Sequence, residues 1–376
     1  MAQNSDSENK KSTPSRHASS TTSHSKRNGK RRKASASSPM RRRLLLGGGI
    51  ISAILVTVLV LALPTMLKGA PQEAVIHIPA RADADMVRDT LVKYFGPSYT
   101  KEIMKVASIR RTDFSTRHGA YLIPEGTSPL RAERRLSQGA QHPLRITVNG
   151  FRSLPVLAER IARRLDFTPD SLLNLLSDST LLASYGLTSS QPLALFIDDS
   201  YELYWSASPE EVVAKIGDHY RKVWNAERMS KANGLGLTPA EIMTICSITD
   251  EESNKIDDKG KIGRLYINRL KTGMPLQADP TVRFALNDFT IRRVKGEHLK
   301  VDSPYNTYRR RGLPPGPIRT TSVATIDAVL NSAPSTHLYM CAKEDFSGYH
   351  NFASTYSEHL ENARRYQKAL DRRGIK

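Results

Sequence analysis

The chain has 376 residues, a formal net charge of +19 and only two cysteines, Cys246 and Cys341. This length exceeds that of one ordinary domain, and two cysteines exclude a fold that depends on a disulfide framework. Twelve Lys and Arg residues occupy positions 1–43 against two acids. Because this segment is also rich in Ser and Thr and has no apolar run, we predict a disordered basic tail.

The next twenty residues, 44–63, carry no charge and can form a helix that crosses a hydrocarbon core of about 30 Å. Arg41, Arg42 and Arg43 precede this segment, whereas only Lys68 follows it closely. The positive-inside rule predicts a single transmembrane helix over 44–67 in the cytoplasmic membrane, with a cytoplasmic tail and 68–376 outside. A cleaved signal peptide is the alternative, but its apolar region normally has about 7–15 residues. An exported folded region argues against nucleic acid as a partner of the tail.

The region 74–190 uses strand, helix, turn and helix twice, which predicts small modules of the α+β class. Strands are predicted at 74–78 and 144–149, and helices at 83–95, 99–107, 153–165 and from Thr168-Pro169 onward. Between the repeats, 119–139 begins as a strand and continues as an amphipathic helix that ends at Gly139. This stretch is similar to LysM-like glycan-binding modules of cell-wall enzymes, and a generic α+β spacer is the alternative.

A connecting segment, 191–236, is predicted to contain a strand within 191–205 and one long helix over 209–229. Residues 237–376 are then predicted to form a mixed α+β domain that carries the chemistry. Its first helix begins with a capping box, in which Thr238 is the N-cap and Glu241 stands three residues later.

One acid interrupts the apolar face of this helix. At about 100° per residue, Glu252 falls on the same face as three isoleucines, Ile245, Ile248 and Ile256. Asp250 and Glu251 point elsewhere, and we expect both to face solvent. A carboxyl held among apolar side chains has a raised pKa and can act as a general acid.

The alternative for Glu252 is a buried ion pair, with Arg264 or Arg269 as the candidate partner. Both arginines lie on a second helix, predicted over 259–270 and ended by Gly273. The two helices would form an αα-hairpin with Glu252 near its closed end.

From residue 242 onward the sequence resembles the MltG, or YceG-like, family of endolytic murein transglycosylases. Four blocks occur in the family's order: IxxEES around Glu252, INRLKTGMPLQADPTV from Ile267, SPYNTYRRRGLPPGPI from Ser303 and HLYMCAKEDFSGYHNFASTYSEH from His337. About 135 residues resemble the family closely. The family's pattern usually has Glu at position 250, Tyr at 284 and Asn-Pro-Gly at 320–322, where this chain has Asp, Phe and Thr-Thr-Ser.

The resemblance implies that Glu252 is the catalytic acid and base for cleavage of peptidoglycan glycan strands with a 1,6-anhydro product. Substrate contacts are expected from loop and aromatic residues: Gln277, Asp279, Tyr305, Asn306, Tyr308 and His350. The sugar's own hydroxyl acts as the nucleophile, so no metal or cofactor is expected. His350, Glu358 and His359 match no common zinc spacing.

The family role implied is termination of glycan elongation, with peptidoglycan synthases (penicillin-binding proteins) as partners. The alternative function is a membrane-anchored scaffold that binds peptidoglycan without cleaving it. An acid within an apolar stripe favours the enzyme, because a scaffold does not need one.

Overall fold

The computed structural model describes residues 39–374, so most of the predicted basic tail lies outside the described residues. The chain divides into two compact units, Met1–Leu61 and Ala62–Lys376. Helix α1, Pro39–Leu67, begins in the first unit. Its window Leu46–Leu63 has a mean hydropathy of 2.6. This helix is long and apolar enough to cross a membrane, and a signal sequence would have the same properties.

The second unit is mixed α+β, as predicted. Its helices are α2 Ala84–Arg110, α3 Pro129–Ser137, α4 Leu154–Ala162, α5 Pro169–Leu176, α6 Ser179–Ala183, α7 Pro209–Val223, α8 Ala226–Leu235, α9 Pro239–Glu252, α10 Ile256–Lys271, α11 Asp279–Leu286, α12 Val323–Leu330 and α13 Tyr356–Arg372. Its strands are β1 Ala74–Ile78, β2 Gly119–Ile123, β3 Pro143–Val148, β4 Ile197–Tyr204, β5 Thr321–Ser322, β6 Tyr339–Ala342 and β7 His350–Ala353.

The small lobe, residues 70–137, is built on the antiparallel pair β1 and β2, in which Ala74 faces Ile123. Helix α2 kinks at Gly96, whose φ of 77° is open to glycine, and Pro97 follows. The kink separates the two helices predicted for this stretch. Both halves and α3 bury their apolar faces against the sheet, with Leu91 and Tyr99 in the core. The LysM likeness of this lobe stays a prediction.

The main lobe, residues 143–372, contains the sheet β3-β4-β5. β3 pairs with β4 in antiparallel register, and β4 pairs with β5 in parallel. One hydrophobic core extends from Ile146 through Trp224 to Val329. The sheet and core therefore include parts of the predicted modules, the connecting segment and the chemical domain.

The single long helix predicted over 209–229 is wrong, because two helices, α7 and α8, occupy this stretch. The chain leaves helical geometry at Trp224, and Asn225 caps α8 by accepting a hydrogen bond from the backbone N–H of Arg228 at 3.0 Å. Asn is a favoured N-cap, so the side chain at 225 supplies the physical reason for the break.

Helix α9 begins as predicted, with the capping box of Thr238 and Glu241 formed in both directions. It packs against α10 in the predicted hairpin and also contacts α8, α11, α12 and β5. Ile256, however, begins α10 and is 46% exposed, so it does not share the apolar face of α9 with Glu252. Helix α9 ends at Glu252 because the backbone at Ser253 is extended.

Candidate active site

Glu252 is the last residue of α9 and its side chain is half-buried. Burial raises the pKa of this carboxyl, because removing water disfavours the charged form. The negative end of the α9 dipole disfavours a carboxylate at the same position. Burial thus produces an acid that holds its proton to higher pH than an exposed Glu.

Tyr266 of α10 is the direct hydrogen-bond partner of this acid. Its fully buried hydroxyl donates to Glu252 Oε1 at 3.0 Å. This bond favours the carboxylate and lowers the pKa of Glu252, against the larger effect of burial. Tyr266 was not predicted as a site residue, although its spacing on the hairpin placed it on the face of α10 that packs inward.

Neither arginine that was considered as an ion-pair partner binds Glu252. Arg264 donates to the backbone carbonyl and hydroxyl of Ser332, and Arg269 donates to the carbonyls of Leu338 and Leu276. These two cations tie α10 to distant backbone segments. A direct ion pair as the reason for the burial of Glu252 is therefore wrong.

Asp279 and Tyr308 form a second hydrogen-bonded pair at the site. The Tyr308 hydroxyl donates to Asp279 Oδ1 at 2.6 Å. Asp279 stands at the start of α11, and its charge raises the pKa of Glu252. Burial, together with the bond to Asp279, raises the pKa of Tyr308 and keeps its hydroxyl protonated. The structure thus brings both predicted residues close to Glu252.

His350 reaches the site from β7, and its charge when protonated lowers the pKa of Glu252. Its Nδ1 lies 2.6 Å from Oδ2 of Asp258, a buried residue in the first turn of α10. A carboxylate at this distance orients the imidazole ring and favours the Nδ1–H tautomer, which leaves Nε2 to face other partners. Asp258 was missed in the sequence, because its partner stands 92 residues away.

Arg283 is a further residue that sequence reasoning missed. It lies on α11, one turn after Asp279, and lowers the pKa of Glu252. Among the described residues its buried Nε has no hydrogen-bond partner. A buried N–H without an acceptor costs free energy, so this group is suited to an acceptor supplied by a bound molecule.

The other predicted substrate contacts, Gln277, Tyr305 and Asn306, lie beside these groups and differ in exposure and in their partners. Gln277 is exposed, with a φ of 48°, and its backbone N–H donates to the Thr307 carbonyl. Tyr305 is half-buried against Phe284, with ring centroids 4.6 Å apart. Asn306 is 0% exposed, and its amide hydrogen-bonds the backbone of Leu299, Val301 and Tyr308. The structure places Asn306 inside a loop and leaves Gln277 and Tyr305 at the surface around the site.

The expectation that Asp250 and Glu251 face solvent is wrong. Asp250 is 7% exposed and accepts from Lys259 Nζ at 2.5 Å and from the hydroxyls of Thr321 and Thr325. The Glu251 side chain is 8% exposed and binds two arginines, Arg152 at 2.8 Å and Arg319 at 3.1 Å. Helix α9 has no solvent face here, because other elements cover it on several sides.

Metal ligation receives no support from the part of the chain between residues 39 and 374, where no group of three or more His, Cys, Asp or Glu could hold an ion. Cys246 is buried and Cys341 half-buried, and both are free thiols. The site is therefore a cluster of carboxyl, phenol, imidazole and guanidinium groups, an arrangement typical of proton transfer to a polar substrate.

Comparison with a solved structure supports the fold. A crystal structure of a YceG-like protein from Listeria monocytogenes superposes with a TM-score of 0.52 at 22% identity, and the match covers 77% of this chain and 98% of that one. At this identity the likeness concerns the architecture alone.

Sequence comparison is more specific. The YceG-like family matches residues 76–365, which is most of the chain. The chain is 38% identical over 126 residues to an endolytic murein transglycosylase of Bacillus subtilis, and 31% identical over 130 residues to one of Streptococcus pneumoniae. These matches cover 34% of this chain in each case and span 34% and 23% of the two relatives. The chain belongs to the YceG-like family.

Proposed function

We propose that this chain is an endolytic lytic transglycosylase that cleaves the MurNAc–GlcNAc bond of peptidoglycan strands, with Glu252 as acid and then base. The observation that carries the proposal is a half-buried carboxyl with a raised pKa, hydrogen-bonded to Tyr266 and surrounded by polar groups from α11, Tyr308 and β7. The names of the relatives from Bacillus and Streptococcus agree with this chemistry.

In the proposed reaction, protonated Glu252 donates its proton to the glycosidic oxygen, and the bond between that oxygen and C1 of MurNAc breaks. The Glu252 carboxylate then accepts the proton of the C6 hydroxyl of the same sugar, whose oxygen bonds to C1. The product is a 1,6-anhydro end, and Glu252 regains its proton. An intramolecular nucleophile gains its rate from proximity, so the reaction consumes no water.

Neighbouring groups fit this sequence of charges. In the first step Glu252 must be protonated, and burial favours this by raising its pKa. In the second step the carboxylate must be stabilised, and both the Tyr266 hydrogen bond and the charge of Arg283 favour the carboxylate. Asp279, held by Tyr308, supplies negative charge where C1 becomes positive. Gln277, Tyr305 and the Nε2 of His350 are assigned to sugar contacts, and Asn306 to fixing the loop that carries Tyr308.

The proposal also includes location and partners. Helix α1 would anchor the enzyme in the cytoplasmic membrane with the second unit outside. Cleavage beside the membrane would act on newly made strands, end their elongation and bring the enzyme near peptidoglycan synthases. The apolar window Leu46–Leu63 and the arginines that precede it support this orientation.

The test is digestion of purified glycan strands by the full-length protein in detergent, with mass analysis of the ends. We expect 1,6-anhydro ends from the wild type, and a rate about 10²–10⁴-fold lower for Glu252→Gln, the range attributed to general acid–base catalysis. Glu227→Gln is the matched control, because Glu227 is an exposed acid on α8 paired with Lys231. It should cleave like the wild type.

Two outcomes would contradict the proposal. Ordinary reducing ends would mean that water is the nucleophile, with Asp279 as the candidate base. Strand binding without any cleavage by the wild type would favour the non-catalytic scaffold.

A further inference from the structure

A basic surface lies on the stretch of chain that follows α11. We call it the basic edge, and it consists of seven exposed cations, Arg292, Arg293, Lys295, Lys300, Arg309, Arg310 and Arg311. The same stretch, 287–311, contains three acids, Asp288, Glu297 and Asp302. Within the described part of the chain, Arg310 is the one member of the edge with a carboxylate within 4.0 Å, that of Asp302.

The later part of this stretch is tied to the short helical turn His298–Lys300 by an internal side chain. The buried Asn306 amide donates to the carbonyls of Leu299 at 2.9 Å and Val301 at 2.8 Å. Arg309 Nη1 donates to the carbonyl of Lys300 at 2.7 Å. The backbone of Lys295 is hydrogen-bonded to His298 and Leu299 in the same turn, so the chain that carries Lys295, Lys300 and Arg309 is ordered, which lowers the entropy lost when they bind a ligand.

The basic edge is also joined to the candidate active site. Arg309 directly follows Tyr308, whose hydroxyl donates to Asp279 at 2.6 Å. One residue earlier, Thr307 accepts from the backbone N–H groups of Gln277 and Ala278 at 3.1 and 3.0 Å. These bonds link the end of the edge that carries Arg309 to the loop and helix start that carry Gln277 and Asp279.

We propose that the basic edge binds carboxylates of the peptide stems carried by the glycan strand that Glu252 cleaves. This inference rests on the proposed function and adds the substrate class, namely strands with acidic stems. The sugars of a stem-bearing strand are uncharged, because each lactyl carboxyl is in amide linkage, whereas the stems bear free carboxylates. Arg and Lys bind carboxylates through charge-assisted hydrogen bonds.

The experiment compares strands that differ in charge alone. Stem amines are first acetylated, and half of the preparation is then amidated at its carboxylates with carbodiimide and ammonia. Cleavage by the full-length protein is followed at about 0.01 M and about 1 M salt, where the Debye length is roughly 30 and 3 Å. The triple variant Arg292→Gln/Arg293→Gln/Lys295→Gln is compared with a control of equal charge change on α7 and α13, Lys215→Gln/Lys222→Gln/Lys368→Gln, whose three side chains are exposed.

At low salt we expect the wild type to have a KM about tenfold lower for the carboxylate form than for the amidated form, as three exposed pairs would give. The kcat should be the same for both forms, because such contacts are equal in the ground and transition states. High salt should bring the KM ratio close to one, and the Arg292/Arg293/Lys295 variant, which keeps four of the seven cations, should lower it toward one. The control on α7 and α13 should keep the wild-type ratio.

An unchanged KM ratio in the triple variant, or no preference in the wild type, would overturn the basic edge as a stem site. Sedimentation with anionic lipid vesicles is run in parallel. If the triple variant loses vesicle binding but keeps the preference for carboxylates, the edge faces a membrane and the proposal is wrong. Binding of both strand forms to the Glu252→Gln variant measures the preference for carboxylates without catalysis. If the wild type cleaves neither form, that result counts against the proposed function, whereas the binding data still test the basic edge.

Discussion

Replacing Tyr266 by Phe removes the hydroxyl that donates directly to Glu252, over 3.0 Å, and leaves the ring in place. Because this hydrogen bond favours the carboxylate, its loss should raise the pKa of Glu252 further above the usual value. A hydrogen bond to a charged group contributes about 1.5–3 kcal/mol. A loss of this size corresponds to about a 10- to 150-fold larger protonated fraction of Glu252 in the variant at a pH above both pKa values, so the pKa moves upward.

The sign of the effect on activity follows from the role of Glu252. A general acid works when protonated. The value of kcat/KM is therefore highest below the pKa of Glu252 and falls as pH rises through that pKa. In Tyr266→Phe the alkaline limb of the pH profile should therefore move to higher pH. Stability follows the same rule, because a carboxyl whose folded pKa is raised contributes less to stability as pH rises through that pKa. The variant should lose more stability than the wild type on the alkaline side.

The assay is the pH profile of kcat/KM on glycan strands, with urea unfolding at pH 5 and pH 8 as a readout independent of activity. Tyr201→Phe is the matched control, because the buried Tyr201 hydroxyl donates to the Ile197 carbonyl at 2.6 Å in β4. It should leave the alkaline limb in place. An alkaline limb that stays fixed in Tyr266→Phe, or moves to lower pH, would refute the assignment of this limb to Glu252.

Two further predictions concern stability. Lys259→Met leaves Asp250 buried without its cation at 2.5 Å and should cost about 3–5 kcal/mol in urea unfolding, and the double variant with Asp250→Asn should recover part of the loss. Equal stability of the single variant and the wild type would show that the threonine hydroxyls suffice. Gly263→Ala would place a Cβ 2.6 Å from Val329 Cγ2 and should destabilise the α10–α12 contact by about 1–3 kcal/mol. Gly234→Ala on α8 would place a Cβ with nothing within 4 Å of it, and should instead raise the free energy of unfolding by about 0.5–1 kcal/mol. A lower free energy of unfolding for both variants would contradict the steric reasoning.

Local signals in the sequence predicted the elements that depend on local contacts. The capping box at Thr238 and Glu241 marked the start of α9, and the positive φ of 71° at Gly273 follows the end of α10 as expected. The same kind of signal was available at Asn225, where an N-cap divides the predicted long helix into two. Elements of this kind are set by hydrogen bonds between residues three or four positions apart, so one sequence is enough to find them.

The contacts that complete the site are not local. Helical periodicity placed Glu252 apart from its two neighbours, but it assigned Asp250 and Glu251 to solvent because it contains no information on what packs around a helix. Their partners stand up to 99 residues away, as with Arg152 and Glu251. Arg283 gave no signal either, because a single Arg on an amphipathic helix is ordinary until the structure shows its Nε to be buried without a partner.

The three consecutive acids at the end of α9 explain how one of them becomes available for proton transfer. Lys259 neutralises Asp250, and Arg152 and Arg319 neutralise Glu251. Within the described residues, no Lys or Arg lies within 4.0 Å of the Glu252 carboxyl, which has a neutral phenol as its hydrogen-bond partner. A direct ion pair would hold the carboxylate ionised at neutral pH, as it does for many buried acids. Because the direct ion pairs are made at positions 250 and 251, the helix terminus keeps an acid whose proton burial retains and whose anion Tyr266 can still accommodate.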